Sequence, residues 1–115
     1  GAMSAVLSLA DRPTAVVCYN DVTAIGAMLA AARHGLVVGR DIAIVGFDDT
    51  SEARHVSPAL TTVAVDPVGL GERAAALLLK QIADPAAEPE SFIGPAHLVI
   101  RESCGAYQRA LAAAG

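Results

Sequence analysis

The stretch from Pro13 to Thr50 reads PTAVVCYNDVTAIGAMLAAARHGLVVGRDIAIVGFDDT. It holds two apolar runs, Ala15-Val16-Val17-Cys18-Tyr19 and Ile42-Ala43-Ile44-Val45-Gly46-Phe47. Between the runs, Val22, Ile25, Met28, Leu29 and Ala32 recur at helical spacing. Asp21 can cap that helix, His34-Gly35 supplies its stop, and Gly39-Arg40-Asp41 turns the chain into the second run. Strand, helix, strand is one βαβ unit, and such a unit sets its strands parallel. The runs are continuous rather than alternating, as in strands covered on both faces. Each is closed by a polar pair, Asn20-Asp21 and Asp48-Asp49. Both pairs then stand at carboxyl ends of neighbouring strands, where open α/β sheets bind ligands. The carboxylates suit a ligand rich in hydroxyl or amine donors.

Outward from this unit the signals are shorter. Gly1-Ala2-Met3 reads as a tag-cleavage scar outside the fold. Residues 4–10 read as the end of a helix, and Asp11-Arg12-Pro13 as a turn. Residues 51–57 suit a short helix ended by Pro58. Leu60 to Val65 is β-branched and extended, Pro67 breaks it, and Gly69 to Ala83 is helical, with Leu70, Ala74, Leu77, Leu78 and Ile82 facing inward. Residues 84–91 form a surface loop, His97 to Arg101 a last strand, and the Ala-rich tail from Ala106 a frayed helix or disordered segment. Three or four strands make a narrow sheet, so either partners complete it or the chain is a piece of a larger fold.

Composition excludes several functions. An apolar fraction of 54 % over 115 residues supports a buried core, with no run long enough to span a bilayer as a helix. Net charge is −4, and the 8 Lys and Arg are scattered singly, which is no footprint for nucleic acid. Cys18 and Cys104 make no disulfide framework and fit a reducing compartment, and Cys18 reads as a small buried apolar residue. His34, His55 and His97 lack metal-ligand spacing. No glycine-rich phosphate loop follows a strand, and no serine stands in a nucleophile elbow. Asp48 and Asp49 are neighbours on a strand end and point apart, so they make no acid–base dyad. No enzyme, metal or cofactor is expected.

Five segments resemble, in order and spacing, the end of the effector-binding region of LacI/GalR-family transcriptional regulators. They are PTAVVCYNDVTAIGAM at 13–28, GRDIAIVGFDDT at 39–50, SPALTTV at 57–63, GERAAALLLKQI at 71–82 and LVIRES at 98–103. The resemblance implies an α/β, parallel-sheet fragment of a type I periplasmic-binding-protein-like fold, mainly its second lobe. Residues 4–60 would supply a βαβ segment of that lobe. Residues 61–91 would supply a crossover strand, helix and loop belonging to the first lobe, 92–105 the return strand, and 106–115 the tail. It implies a cytoplasmic regulator sensing a small-molecule effector, a sugar or related compound, and touching operator DNA only through an N-terminal domain outside this chain. It also implies a homodimer, with the helix over 21–34 and the segment 53–58 at the subunit interface. Ala24, Ala27 and Ala31 would let another helix approach there, and the 61–83 segment is a candidate for exchange between copies. A fragment of a transport-type sugar-binding protein shares this fold and stays open as the alternative.

The resemblance carries the site onto four residues. Asp48 matches the first Asp of the family's GFDD-type motif, which commonly contacts the effector; its alternative is a cap for the helix after it, a role that suits Asp49 better. Asn20 matches an Asn that often meets the effector, or else caps the helix after it. Asp21 borders the cleft and reads as a cap. Val65 departs from the polar Gln of many relatives at the crossover, leaving Asp66 as a substitute contact or as a hinge or cap. Phe47 could stack on a sugar ring, but its apolar strand favours core packing.

Overall fold

A computed structural model describes all 115 residues, Gly1–Gly115. Its elements run α1 (Ala2–Leu7), β1 (Ala15–Val17), α2 (Asp21–Arg33), β2 (Ala43–Asp48), α3 (Ser51–His55), β3 (Thr61–Val65), α4 (Pro67–Ala83), β4 (Ala96–Val99) and α5 (Ala106–Ala114). The four strands lie in the order β1-β2-β3-β4. β1 and β2 are parallel, from Ala15↔Ala43 to Val17↔Val45. β2 and β3 are parallel, from Val45↔Thr61 to Asp48↔Ala64. The strand–helix–strand unit read from Pro13 to Thr50 is therefore present, and β2 lies between two parallel neighbours. The chain divides into two compact units, residues 1–64 with 98–115, and residues 65–97.

In the first unit the core is Ile42, Ile44 and Leu60 packed with Ala24, Ala27, Met28 and Ala31. The buried face of α2 thus carries its alanines together with Met28, and of the expected stripe Ile25 packs against this core while Val22 and Leu29 do not. Val22 is 73 % and Leu29 58 % exposed, whereas Ala24 and Ala31 are fully buried. Asp21, Ala24, Met28 and Ala31 follow i, i+3, i+7, i+10 on one face. Burial of Asp21 at the first turn fixes the rotation of the helix, and small side chains let its backbone approach β2.

The strands are also less covered than their continuous apolar sequences imply. Val17 on the edge strand β1 is 81 % exposed. In β2, Ile44 and Gly46 are buried, Ala43 and Val45 only partly, and Phe47 and Asp48 are exposed. One face of β1 and β2 is thus better closed than the other, whereas in β3 the successive Thr61 and Thr62 are both buried. Cys18 is only partly buried, which still raises its thiol pKa by desolvation. Ser103, fully buried, ties β2 to β3: its hydroxyl donates to the Ile44 carbonyl at 2.6 Å and accepts from Thr61 N–H at 2.8 Å.

In the second unit, Pro67 does more than break a strand; it occupies the first turn of α4, where its missing N–H costs no helical bond. The Arg73 guanidinium stacks over Phe92, 5.6 Å from the ring centroid. Lys80 pairs with Glu90, and the Gln81 amide donates to the Ala87 carbonyl at 3.1 Å. No residue of α4 is fully buried: of its expected inward stripe, Leu70 and Leu77 are half-buried, while Ala74, Leu78 and Ile82 remain exposed.

Candidate functional site

The parallel register that pairs Val17 with Val45 brings Asn20 and Asp48 to the carboxyl ends of adjacent strands. Asn20 is the N-cap of α2, with extended backbone. Its Oδ1 accepts from Thr23 N–H at 2.9 Å and from the Thr23 hydroxyl at 2.7 Å. Capping spends the carbonyl end of the amide and leaves the NH2 end as a donor.

Asp21, expected as a cap bordering the cleft, does not cap α2, since Asn20 holds that position. It is fully buried. One carboxylate oxygen accepts the Thr62 hydroxyl at 2.5 Å and the other the Thr50 N–H at 2.8 Å. Gly46 makes room for it: a Cβ there would strike the Asp21 carboxylate and stand 3.1 Å from Leu60 Cδ2. The glycine before Phe47-Asp48-Asp49 is thus a requirement of close approach.

Asp48 and Asp49 both adopt positive φ, at 109° and 52°. Such backbone in non-glycine residues costs about 1–3 kcal/mol each and persists only where surroundings hold it. The two side chains part. Asp49 turns inward and accepts from Arg101 at 2.5 Å and Arg54 at 3.1 Å. Burial alone would raise its carboxyl, but the two guanidiniums outweigh burial and hold it below the usual carboxylate range. Asp49 therefore does not cap α3. Thr50 holds the N-cap position there, with no side-chain cap bond, because the arginines claim the Asp49 carboxylate. Asp48 stays exposed and its carboxylate accepts no hydrogen bond from the chain, so it caps nothing either. Phe47 beside it is 39 % exposed rather than packed in the core.

Asp66 lies in the second unit, where its Oδ1 accepts Gly69 N–H at 3.0 Å and caps α4. Three residues that hold this region escaped sequence reasoning: Thr62, Ser103 and Arg101, whose guanidinium also donates to the Leu60 carbonyl at 2.8 Å. In sequence the threonine is one of several β-branched residues in a strand, and Arg101 one of eight scattered cations. Their partners lie 41 and 52 residues away. Chemically, the arrangement offers one ionisable acceptor held outward beside an amide donor and an aromatic ring, and no nucleophile–base pair.

Comparison with known proteins gives the chain a family. Residues 2–104 match the family described as periplasmic binding protein-like domain. The HTH-type transcriptional repressor PurR of Escherichia coli O1:K1 / APEC is 41 % identical over 102 residues, covering 89 % of this chain and 30 % of the repressor. The chain therefore spans about a third of the length of the curated relatives it matches. The transcriptional regulator CelR in complex with cellobiose superposes with a TM-score of 0.79 at 34 % identity, over 89 % of this chain and 31 % of that one. The lac repressor dimer bound to operator and the anti-inducer ONPF superposes with a TM-score of 0.78 at 36 % identity, over 90 % of this chain and 31 % of that one.

Proposed function

Because this chain belongs to the periplasmic binding protein-like domain family, we propose that it is the effector-sensing and dimerisation part of a cytoplasmic LacI/GalR-type transcriptional regulator. The single observation that carries the reading is the free carboxylate of Asp48, held at positive φ at the carboxyl end of a strand flanked by parallel neighbours. A carboxylate without an internal partner is an acceptor available to sugar hydroxyls or amines. The Asn20 NH2 supplies a donor beside it, and Phe47 an apolar ring. Asp21 belongs to the support of this group and Asp66 to the cap of α4, so the contacts proposed from this chain are Asn20 and Asp48. The first unit corresponds on this reading to the second lobe of the effector domain, and the 65–97 unit to its crossover into the first lobe.

Relatives named as transcriptional repressors and regulators favour this over a transport-type sugar-binding protein, and one of them binds cellobiose. Operator contact falls outside these 115 residues, since the 8 cations are scattered and a net charge of −4 repels phosphate. A thermal-shift screen of sugars and nucleosides against the full-length regulator identifies the effector. Calorimetry of Asp48→Ala then tests the reading. A charge-assisted hydrogen bond is worth roughly 1.5–3 kcal/mol, so affinity should fall about tenfold or more. Unchanged affinity would remove Asp48 from the site.

A further inference from the structure

We propose that Asp21 and Thr62 form a buried latch that fixes the backbone of the Asp48-Asp49-Thr50 turn and thereby aims the Asp48 carboxylate outward. That the aim serves an effector rests on the reading of Asp48 above; the latch itself does not.

The Thr62 hydroxyl works in both directions. It donates to Asp21 Oδ1 at 2.5 Å and accepts from Asp49 N–H at 3.4 Å. The other oxygen of Asp21 accepts Thr50 N–H at 2.8 Å. Two consecutive amides of the turn are thus held by one carboxylate–hydroxyl pair. Asp21 and Thr62 are both fully buried, so water does not stand in for either partner. The Arg101–Asp49 pair at 2.5 Å anchors the same turn through its side chain. What these bonds secure is an arrangement the chain does not adopt unaided, positive φ at two successive aspartates. The same φ values separate the neighbouring carboxylates, one inward to Arg101 and one outward. Asp21 touches no solvent and hence no ligand. It is a positioning residue, acting on Asp48 through the turn.

The test is amide exchange and scalar coupling by NMR on the isotope-labelled 115-residue chain. In the wild type, the Thr50 amide should exchange at least tenfold more slowly than exposed amides of the 84–91 loop, and the Asp48 HN–Hα coupling should report positive φ. Thr62→Val, which removes the acceptor of the Asp49 N–H and the hydroxyl that holds Asp21, should speed exchange of the Asp49 amide and move the Asp48 coupling to an averaged value, while the Val45 and Val63 amides within β2 and β3 keep their protection. Thr62→Ser, which retains the hydroxyl, should behave as wild type. If Thr62→Val does not fold, Asp21→Asn provides the same comparison, and the wild-type measurement stands alone: an unprotected Thr50 amide overturns the latch. Equal loss of protection across β2 and β3 also overturns it, because that marks a general loosening of the sheet. Unchanged effector affinity in Asp48→Ala would sink the effector reading and leave the latch standing.

Discussion

At the end of β2, two adjacent carboxylates have opposite surroundings, and the inward one bears on stability against pH. Asp49 is held by Arg101 and Arg54, which keep its carboxyl below the ordinary value. A depressed folded pKa contributes stability that is fully present above the unfolded value, about 3.9 for Asp, and is lost as pH falls through the folded value. Asp49→Asn should therefore lower the melting temperature near neutrality and flatten its fall below about pH 4, as thermal unfolding followed from pH 6 down to 2 would reveal. An unchanged acid limb would show that the pair contributes nothing to stability. Asp41, lowered to about 2 by its hydrogen bond with Arg40 and by the Val37 N–H, adds a residual slope in the same direction at the acid end. The Asn20-Asp21 and Asp48-Asp49 pairs were legible as strand-end polar clusters, because chain order and apolar runs fix where strands stop. Which acid points out and which points in was not, because that depends on Thr62 and Arg101, brought up by β3 and by the segment after β4.

At the scale of the element, α2 separates what periodicity can and cannot decide. Counting apolar residues gives the helix and its length, and Gly35 at φ 75° follows its end as expected. The count fails on phase. It places Val22 and Leu29 inward with Ile25 and Met28, whereas only the latter two meet the core, and the buried bonds of Asp21 to Thr50 and Thr62 go with the alanines turning inward beside them. Ala24, Ala27 and Ala31 therefore face the unit's own core and are not free for a partner helix. Enlarging them should overpack that core: Ala24→Leu or Ala31→Leu should cost about 1–3 kcal/mol. Leu29→Ala, at a side chain already mostly in water, should stay within about 0.5 kcal/mol. Urea unfolding of the three variants decides the phase directly, and a large loss at Leu29 with tolerance at Ala24 would mean that the helix is turned the other way.

On the scale of the whole molecule, the parallel pairing of β1 with β2 follows from the sequence because one βαβ unit dictates it, while the places of β3 and β4 and the covering of exposed surfaces do not. The outer face of α2 presents Val22 and Leu29, and a groove of the first unit is lined by Ile25, Leu29, Val56, Pro58, Tyr107 and Leu111. In the second unit α4 presents Val68, Leu78, Leu79 and Ile82. Contiguous apolar surface of this kind is seldom left in water by soluble monomers. The larger side chains of α2, rather than its alanines, are the ones available for a subunit contact. Self-association is therefore expected, as a homodimer or larger assembly, with exchange of the 61–83 segment between copies as one route. Sedimentation velocity across a concentration series should show a species of at least twice the monomer mass at tens of micromolar. Leu29→Glu and Leu78→Glu then separate the two faces. Loss of association in the first assigns the contact to α2; loss in the second assigns it to α4, because a charge buried without a partner opposes assembly. A chain that stays monomeric at every concentration would refute the expectation, whichever helix was invoked.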